Sequence, residues 1–375
     1  MPKRLLLIGG GHSHVEVIRR WGLAPEPDVA VTLISPDRHT PYSGMLPGYI
    51  AGHYSHADCH IDLDAVCAQA GVTRIGASVG AVDFAARIAR CSHAPDQPFD
   101  VLSIDTGSTP MLAPIPGAER HGIAVKPVAQ FLDLWAQLRE AAGTAPRPLQ
   151  VVVVGAGAAG VEVVLAMQHR IAGDGGRATF TLIGDGPTIL GVHPRGVQQR
   201  FMAILQHQGI SVRLDTAVER VVPGSLLLRG GERLAFDEVI WVTGAAAPAW
   251  PRASGLQTDA AGFIAVDTHL QSLSHPGVFA AGDIASMQDT PRPKSGVYAV
   301  RQGPPLTENL RRALRGEPLV EYHPQARALA LISAGDRYAV ASYGPFALSG
   351  AWVWRWKDRI DSAFMQRYRA APENQ

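Results

Sequence analysis

Val151-Val152-Val153-Val154-Gly155-Ala156-Gly157-Ala158-Ala159-Gly160-Val161-Glu162 has a near-counterpart at the start of the chain, Leu5-Leu6-Leu7-Ile8-Gly9-Gly10-Gly11-His12-Ser13-His14. In each, an apolar run reads as a buried parallel strand, and glycines then open onto a helix. The first glycine permits the tight turn and the second lets backbone approach a pyrophosphate. The helix N-terminus supplies the N–H groups on which that pyrophosphate rests. One such fingerprint is weak evidence. Two of them, a domain-length apart, predict an α/β chain of two Rossmann-like domains holding two dinucleotides face to face.

The second fingerprint is complete, with Gly155, Gly157 and Gly160 in place and Ala158 and Ala159 opening the helix. The first departs from the pattern. His14 stands where a third glycine normally lets helix and strand pack closely, so either the helix is displaced or the imidazole turns outward. The acidic residue that usually follows the second strand is also missing. After Val29–Ile34 comes Ser35, suited to accept a ribose hydroxyl, and Arg38 follows, suited to neutralise a phosphate.

Three further strand ends repeat the logic. Thr106-Gly107 and Thr243-Gly244 each close an apolar run, one per fingerprint, and read as the returns of two nucleotide-binding domains. Gly277–Ala281 leads into Gly282-Asp283. This puts a carboxylate at the carboxyl end of a strand, where open α/β sheets bind ligands; as an ordinary helix N-cap, Asp283 would also fit. A proline-rich connector spans Pro110–Pro127, followed by a helix from Val128 to about Ala142 and another near Arg195–Gln208. The division read from these marks is 1–112 with 262–325 as a discontinuous first domain, 113–261 as the second, and 326–375 as a C-terminal segment.

At 375 residues with a formal net charge of +1, the chain has length for large cores and no basic excess suited to nucleic acid. Its only cysteines are Cys59, Cys67 and Cys91, which give no disulfide framework. No apolar run is long enough to span a bilayer and the first residues enter a strand directly. Hence the expectation is a cytoplasmic protein. The histidines of His53–His60 are ligand types, but polar contact with a nucleotide is the simpler reading, and no metal is expected.

Taken in order, these motifs resemble the pyridine nucleotide–disulfide oxidoreductase superfamily. The resemblance implies two Rossmann-like, three-layer ββα domains and two cofactors, FAD on the first and NADH or NADPH on the second. It places FAD against Gly9, Gly11, His12, Ser13, His14, Ser35, Arg38, Thr106, Gly107, Gly282, Asp283 and Gln302. NAD(P)H falls against Gly155, Gly157, Ala158, Ala159, Gly160, Asp185, Thr243 and Gly244. Glu162 is implied at the nicotinamide–flavin contact, with Lys126 as a second catalytic candidate. Arg301-Gln302-Gly303-Pro304 resembles the start of the helix aimed at the flavin C2 carbonyl. More closely, Ser35–Gly48, His60–Leu63 and Val125-Lys126-Pro127 are similar to the oxidoreductase module that can be fused to selenophosphate synthetase.

Disulfide reductases of the superfamily carry a Cys-x4-Cys pair just after the second strand, where this chain has Thr40–Pro47 and no thiol. The resemblance therefore narrows to the type II NADH:quinone oxidoreductase branch. Hydride would pass from NAD(P)H to FAD and two electrons onward to a quinone-like or small acceptor. Val297 and Arg301 stand where that branch usually has two quinone-side glutamines, and Tyr298 with Lys294 suits a smaller or anionic acceptor. Alternatives are a slow, NAD(H)-binding redox sensor and a reductase of selenium or sulfur metabolism. Trp352, Trp356, Ile360 and Phe364 recur every fourth residue beside Arg355, Lys357, Arg359 and Arg367. That stripe would lie on the inner face of a membrane, pack on the enzyme's own body, or join a homodimer.

Overall fold

The computed structural model describes residues 2–112 and 115–369. In chain order the elements that build the site are β1 (Lys3–Ile8), α1 (His12–Leu23), β2 (Val29–Ile34), β3 (Thr73–Ile75), β4 (Val101–Ile104), β5 (Ile123–Ala124), α2 (Val128–Thr144), β6 (Leu149–Val154), α3 (Ala158–Gly173), β7 (Ala178–Ile183), β8 (Ser211–Arg213), β9 (Glu238–Trp241), β10 (Val278–Ala280), α4 (Gly296–Arg315), β11 (Ala330–Ser333), β12 (Ala339–Tyr343), β13 (Phe346–Gly350) and α5 (Ala351–Gln366).

Both glycine fingerprints sit on the same scaffold. One five-stranded sheet runs β10–β4–β1–β2–β3 and the other β5–β9–β6–β7–β8, all pairs parallel. Each fingerprint strand is central, so it is covered on both faces and reads as continuous apolar residues without alternation. Leu5–Ile8 and Val151–Val154 are buried accordingly. The strand β10 returns to the first sheet from late in the chain and pairs with β4, which explains why Gly282-Asp283 ends up beside the end of β4.

Helix α1 buries Val15, Val17, Ile18 and Trp21 and leaves Arg20 in its last turn, where a cation complements the helix dipole. Two large cores result. One gathers Leu7, Trp21, Leu33 and Phe279; the other gathers Val153, Val164, Phe131 and Phe201. The proline-rich connector includes residues 113 and 114, which lie outside the described residues. Beyond them it forms a short helix, Ala118–His121, and the strand β5. The helix expected from Val128 runs on to Thr144, and the one near Arg195 ends at His207.

The C-terminal segment is the antiparallel sheet β11–β12–β13 followed by α5. Its helix divides the expected stripe. Phe364 is buried with Val353, Trp354 and Met365, whereas Trp352, Trp356 and Ile360 remain 48%, 37% and 43% exposed. The reason is the docking surface: α5 meets the body through a face centred on Val353, Lys357, Asp361 and Phe364, offset from the tryptophan row.

Candidate functional site

Gly9 ends β1 with φ +94°, and a side chain there would collide with the Asp105 carbonyl. Its N–H donates to the Ile34 carbonyl at 2.8 Å. Gly11 then caps α1 in extended backbone with no side-chain bond, leaving the first N–H groups free for other acceptors. In the second domain Gly155 has φ +123° and faces the Val242 carbonyl, while Gly160 packs on the Gly155 carbonyl. Nothing lies within 4 Å of where a Gly157 side chain would project. These cradles fit a pyrophosphate: glycine where backbone is crowded, and open space ahead of the second helix.

His14 does not turn its ring outward. The imidazole turns inward and is fully buried between α1 and the sheet. Its Nδ1 lies 2.7 Å from the Gly9 carbonyl and must donate, so Nε2, 2.7 Å from the Ser103 hydroxyl, accepts. Burial pushes its pKa down to about 4, which keeps the ring neutral. His14 thus takes the third glycine's place by filling the seam with two hydrogen bonds.

Asp105 is the residue that sequence reasoning missed. It ends β4 at 2% exposure, and its Oδ2 accepts the N–H groups of Ser13 at 2.9 Å and His14 at 3.1 Å. Burial, with Asp283 adding to it, raises its carboxyl to about 7 against the lowering effect of those N–H bonds. The signal was present: a carboxylate closing a strand of otherwise buried residues, directly before Thr106-Gly107.

Asp283 lies in a short 3-10 turn and accepts from Lys126 Nζ at 3.0 Å and from Ser108 Oγ at 3.2 Å. Lys126, the second catalytic candidate, is therefore the ion-pair partner of Asp283. Gln302 accepts the Gly282 N–H at 2.7 Å. The helix carrying Gln302 does not start at Arg301, however. It starts at Gly296 behind Ser295, a typical helix-opening residue, and Pro304 and Pro305 lie inside it. Ser35 donates weakly to the Asp37 carbonyl at 3.3 Å, and Arg38 pairs with Asp62 at 2.8 Å and Asp64 at 3.3 Å. Both stay near the end of β2, but Arg38 already has carboxylate partners. The Nε2 of His12 is buried without a hydrogen-bond partner, and its ring stands edge-on to Tyr42 at 5.5 Å.

On the second sheet, Thr243 Oγ1 donates to the Met111 carbonyl at 3.1 Å, and Thr109–Pro110 pairs with Ala245–Ala246, so the two Thr-Gly returns lie beside each other. Asp185 is exposed just past β7. Glu162, on α3, accepts the Ser333 N–H at 2.8 Å; burial raises its pKa, opposed by the Lys357 charge. Lys357 and Asp361 form a buried pair at 2.6 Å, and Tyr42 donates to the same aspartate at 3.2 Å. A cavity of about 240 Å³ opens beside Asp283 and Gln302, and Lys294, Tyr298, Phe263 and Arg292 line it. Among the described residues no group of His, Cys, Asp or Glu is arranged to hold a metal ion; His56 and His60 instead stack ring on ring at 3.7 Å.

Known proteins resemble the chain in sequence and in fold. The pyridine nucleotide-disulphide oxidoreductase family matches residues 3–303. The chain is 31% identical over 238 residues to an NADH dehydrogenase-like protein of Mycobacterium tuberculosis, a match covering 61% of this chain and 59% of that protein's length. It is 24% identical over 332 residues to the NADH dehydrogenase-like protein YutJ of Bacillus subtilis, covering 86% and 87%. Among solved structures, NDH2 of Plasmodium falciparum in complex with NADH superposes with a TM-score of 0.82 at 15% identity, covering 98% of each chain. The sulfide:quinone oxidoreductase of Aquifex aeolicus does so with a TM-score of 0.81 at 17% identity, covering 99% and 93%. The chain belongs to the pyridine nucleotide-disulphide oxidoreductase family.

Proposed function

We propose that the protein is an FAD-dependent NAD(P)H dehydrogenase that reduces a quinone-like or small acceptor without a redox-active cysteine pair. We assign FAD to residues 1–112 with 262–325, and NAD(P)H to 113–261. The observation that carries this is the duplication of one glycine-lined helix N-terminus on two five-stranded parallel sheets, each with its fingerprint strand at the centre. Bound FAD supplies the two-electron chemistry, and the chain supplies binding, orientation and electrostatics. Gly9, Gly11 and Gly282 let the first turn pack tightly around Asp105, and Gly155 and Gly160 do the same against the Val242 and Gly155 carbonyls, while Gly157 faces open space for the second dinucleotide. We assign Glu162 to the nicotinamide side; burial raises its pKa, which favours the neutral carboxyl.

Cysteine chemistry is disfavoured by the thiols themselves. Cys59 and Cys67 are buried, and burial pushes each up to about 12, far from a reactive thiolate. The cavity beside Asp283 suits a small acceptor: Lys294 is desolvated, which lowers its pKa, and stands 4.0 Å over the Phe263 ring. The test is purified protein given NADH and a soluble quinone. Flavin bleaching by NADH followed by turnover is expected; bleaching with no reoxidation by any quinone or dye would favour the slow redox-sensor reading.

Peripheral membrane contact is a second element of the proposal. Besides Trp352, Trp356 and Ile360, the β12–β13 hairpin exposes Phe346 at 70% and Leu348 at 53%. No described helix is long and apolar enough to cross a membrane. Co-sedimentation with anionic vesicles, lost on Trp352→Ser with Trp356→Ser, is the expected result. Loss of a dimer in the same variant would assign the face to a homodimer instead.

A further inference from the structure

Both α1 N–H bonds to Asp105 go to Oδ2, and the carboxyl group stands where side chains on Gly11 and Gly282 would project. Those two glycines belong to the fingerprint and the Gly-Asp turn, the two features that leave room for a pyrophosphate. Asp105 therefore lies inside the cradle. The groups that face it are few. From α1 come the Ser13 and His14 N–H groups and the neutral His14 ring; from the Gly282 turn comes Asp283, a like charge. Lys126 is engaged by Asp283, Gln302 of α4 by the Gly282 N–H, and the His12 ring is held neutral by burial.

An ionised carboxylate in this position would repel a pyrophosphate at short range in a poorly solvated site. A carboxylic acid would instead donate a hydrogen bond to it. We propose that Asp105 is a residue of the FAD site that holds the pyrophosphate as a neutral carboxylic acid, so that binding FAD takes up one proton from solvent at this side chain. The proposal rests on FAD occupying the first fingerprint. Its balance is simple: carboxylate plus proton plus FAD give the protonated complex, and release of FAD returns the proton. Asp105, whose carboxyl sits near 7 before binding, is poised for that uptake around neutrality.

The experiment dilutes the FAD-loaded protein over a series from about pH 6 to about pH 8.5 and follows free FAD by its fluorescence. Wild-type retention should be flat at the acid end and then weaken, approaching about tenfold per pH unit at the alkaline end. Asp105→Asn, which keeps a neutral hydrogen-bonding group, should flatten the profile, and His12→Gln should leave the slope in place. In parallel, wild-type protein in weak buffer with a pH indicator should release close to one proton per FAD at the alkaline end, a readout that needs no variant to fold. A pH-independent retention with no proton release would overturn the proposal while leaving the FAD reading intact. So would a slope abolished by His12→Gln and kept by Asp105→Asn. Failure to hold FAD at any pH would overturn the FAD reading, and this proposal with it.

Discussion

His14 fills with an imidazole a gap that a glycine would close by bringing backbone to backbone, so the seam depends on its two hydrogen bonds. His14→Gly should leave a cavity and strip Ser103 and the Gly9 carbonyl of their partner. The expected loss is about 3 kcal/mol in urea unfolding; a variant as stable as wild type would show that α1 can close onto β1. Asp283→Ala should weaken FAD retention by roughly 1.5–3 kcal/mol, read as free FAD after gel filtration, because a charge-assisted bond disappears and Lys126 loses its counterion. Asp185 is exposed just past β7, in the half proposed for NAD(P)H. There it would repel a 2′-phosphate, so NADH should reduce the flavin faster than NADPH and Asp185→Ala should narrow the gap. Equal rates in wild type would show that Asp185 is not near the ribose.

Helix α5 is held by polar groups that its apolar spacing does not reveal. Lys357 and Asp361 are 7% and 5% exposed, and Lys357 also donates to the Gly44 carbonyl. Lys357→Met should cost about 3–5 kcal/mol by leaving a buried carboxylate unpaired, while adding Asp361→Leu should restore much of the loss. A thermal melt and proteolysis of the C-terminus both report it. At the end of the segment, Tyr368 donates to Glu16 at 2.8 Å, and Arg19 and Arg20 pair with the same carboxylate. These partners hold Glu16 at about 2 despite its burial. Because that pKa is depressed, its stabilising effect is fully present above the unfolded value near 4.5 and is lost as pH falls toward 2. The strands, α1 and α3 were legible in sequence because a central parallel strand and a glycine turn leave contiguous marks. The docked face of α5 and the role of Asp105 were not. Both arise from partners far away in sequence, Tyr42 and Gly44 for one and Ser13 and Gly282 for the other, and no local period encodes such pairings.

Across the whole molecule each of the two parallel sheets presents a glycine turn at the end of its central strand, while the cysteines lie elsewhere in the first unit. A dithiol relay needs two sulfurs within bonding reach of each other, with Cα atoms closer than about 7 Å, and at least one thiol able to ionise. Cys59 shares its hydrogen with the Ser55 and His56 carbonyls at 3.4 and 3.6 Å, and Cys67 is packed in the apolar core behind α1. The loop that would carry a relay, Thr40–Pro47, places Tyr42 against Phe364 at 4.4 Å and Met45 in the core instead. Aromatic packing from α5 thus occupies the side of the site where disulfide chemistry would need open thiols. Replacing Cys59, Cys67 and Cys91 together with alanine should lower the melting temperature slightly, because two small buried groups shrink, and leave NADH:quinone or NADH:dye turnover within about twofold of wild type. Loss of turnover in a folded, FAD-loaded triple variant would require a thiol in the electron path. It would then move the reaction toward the thiol-dependent members of the family.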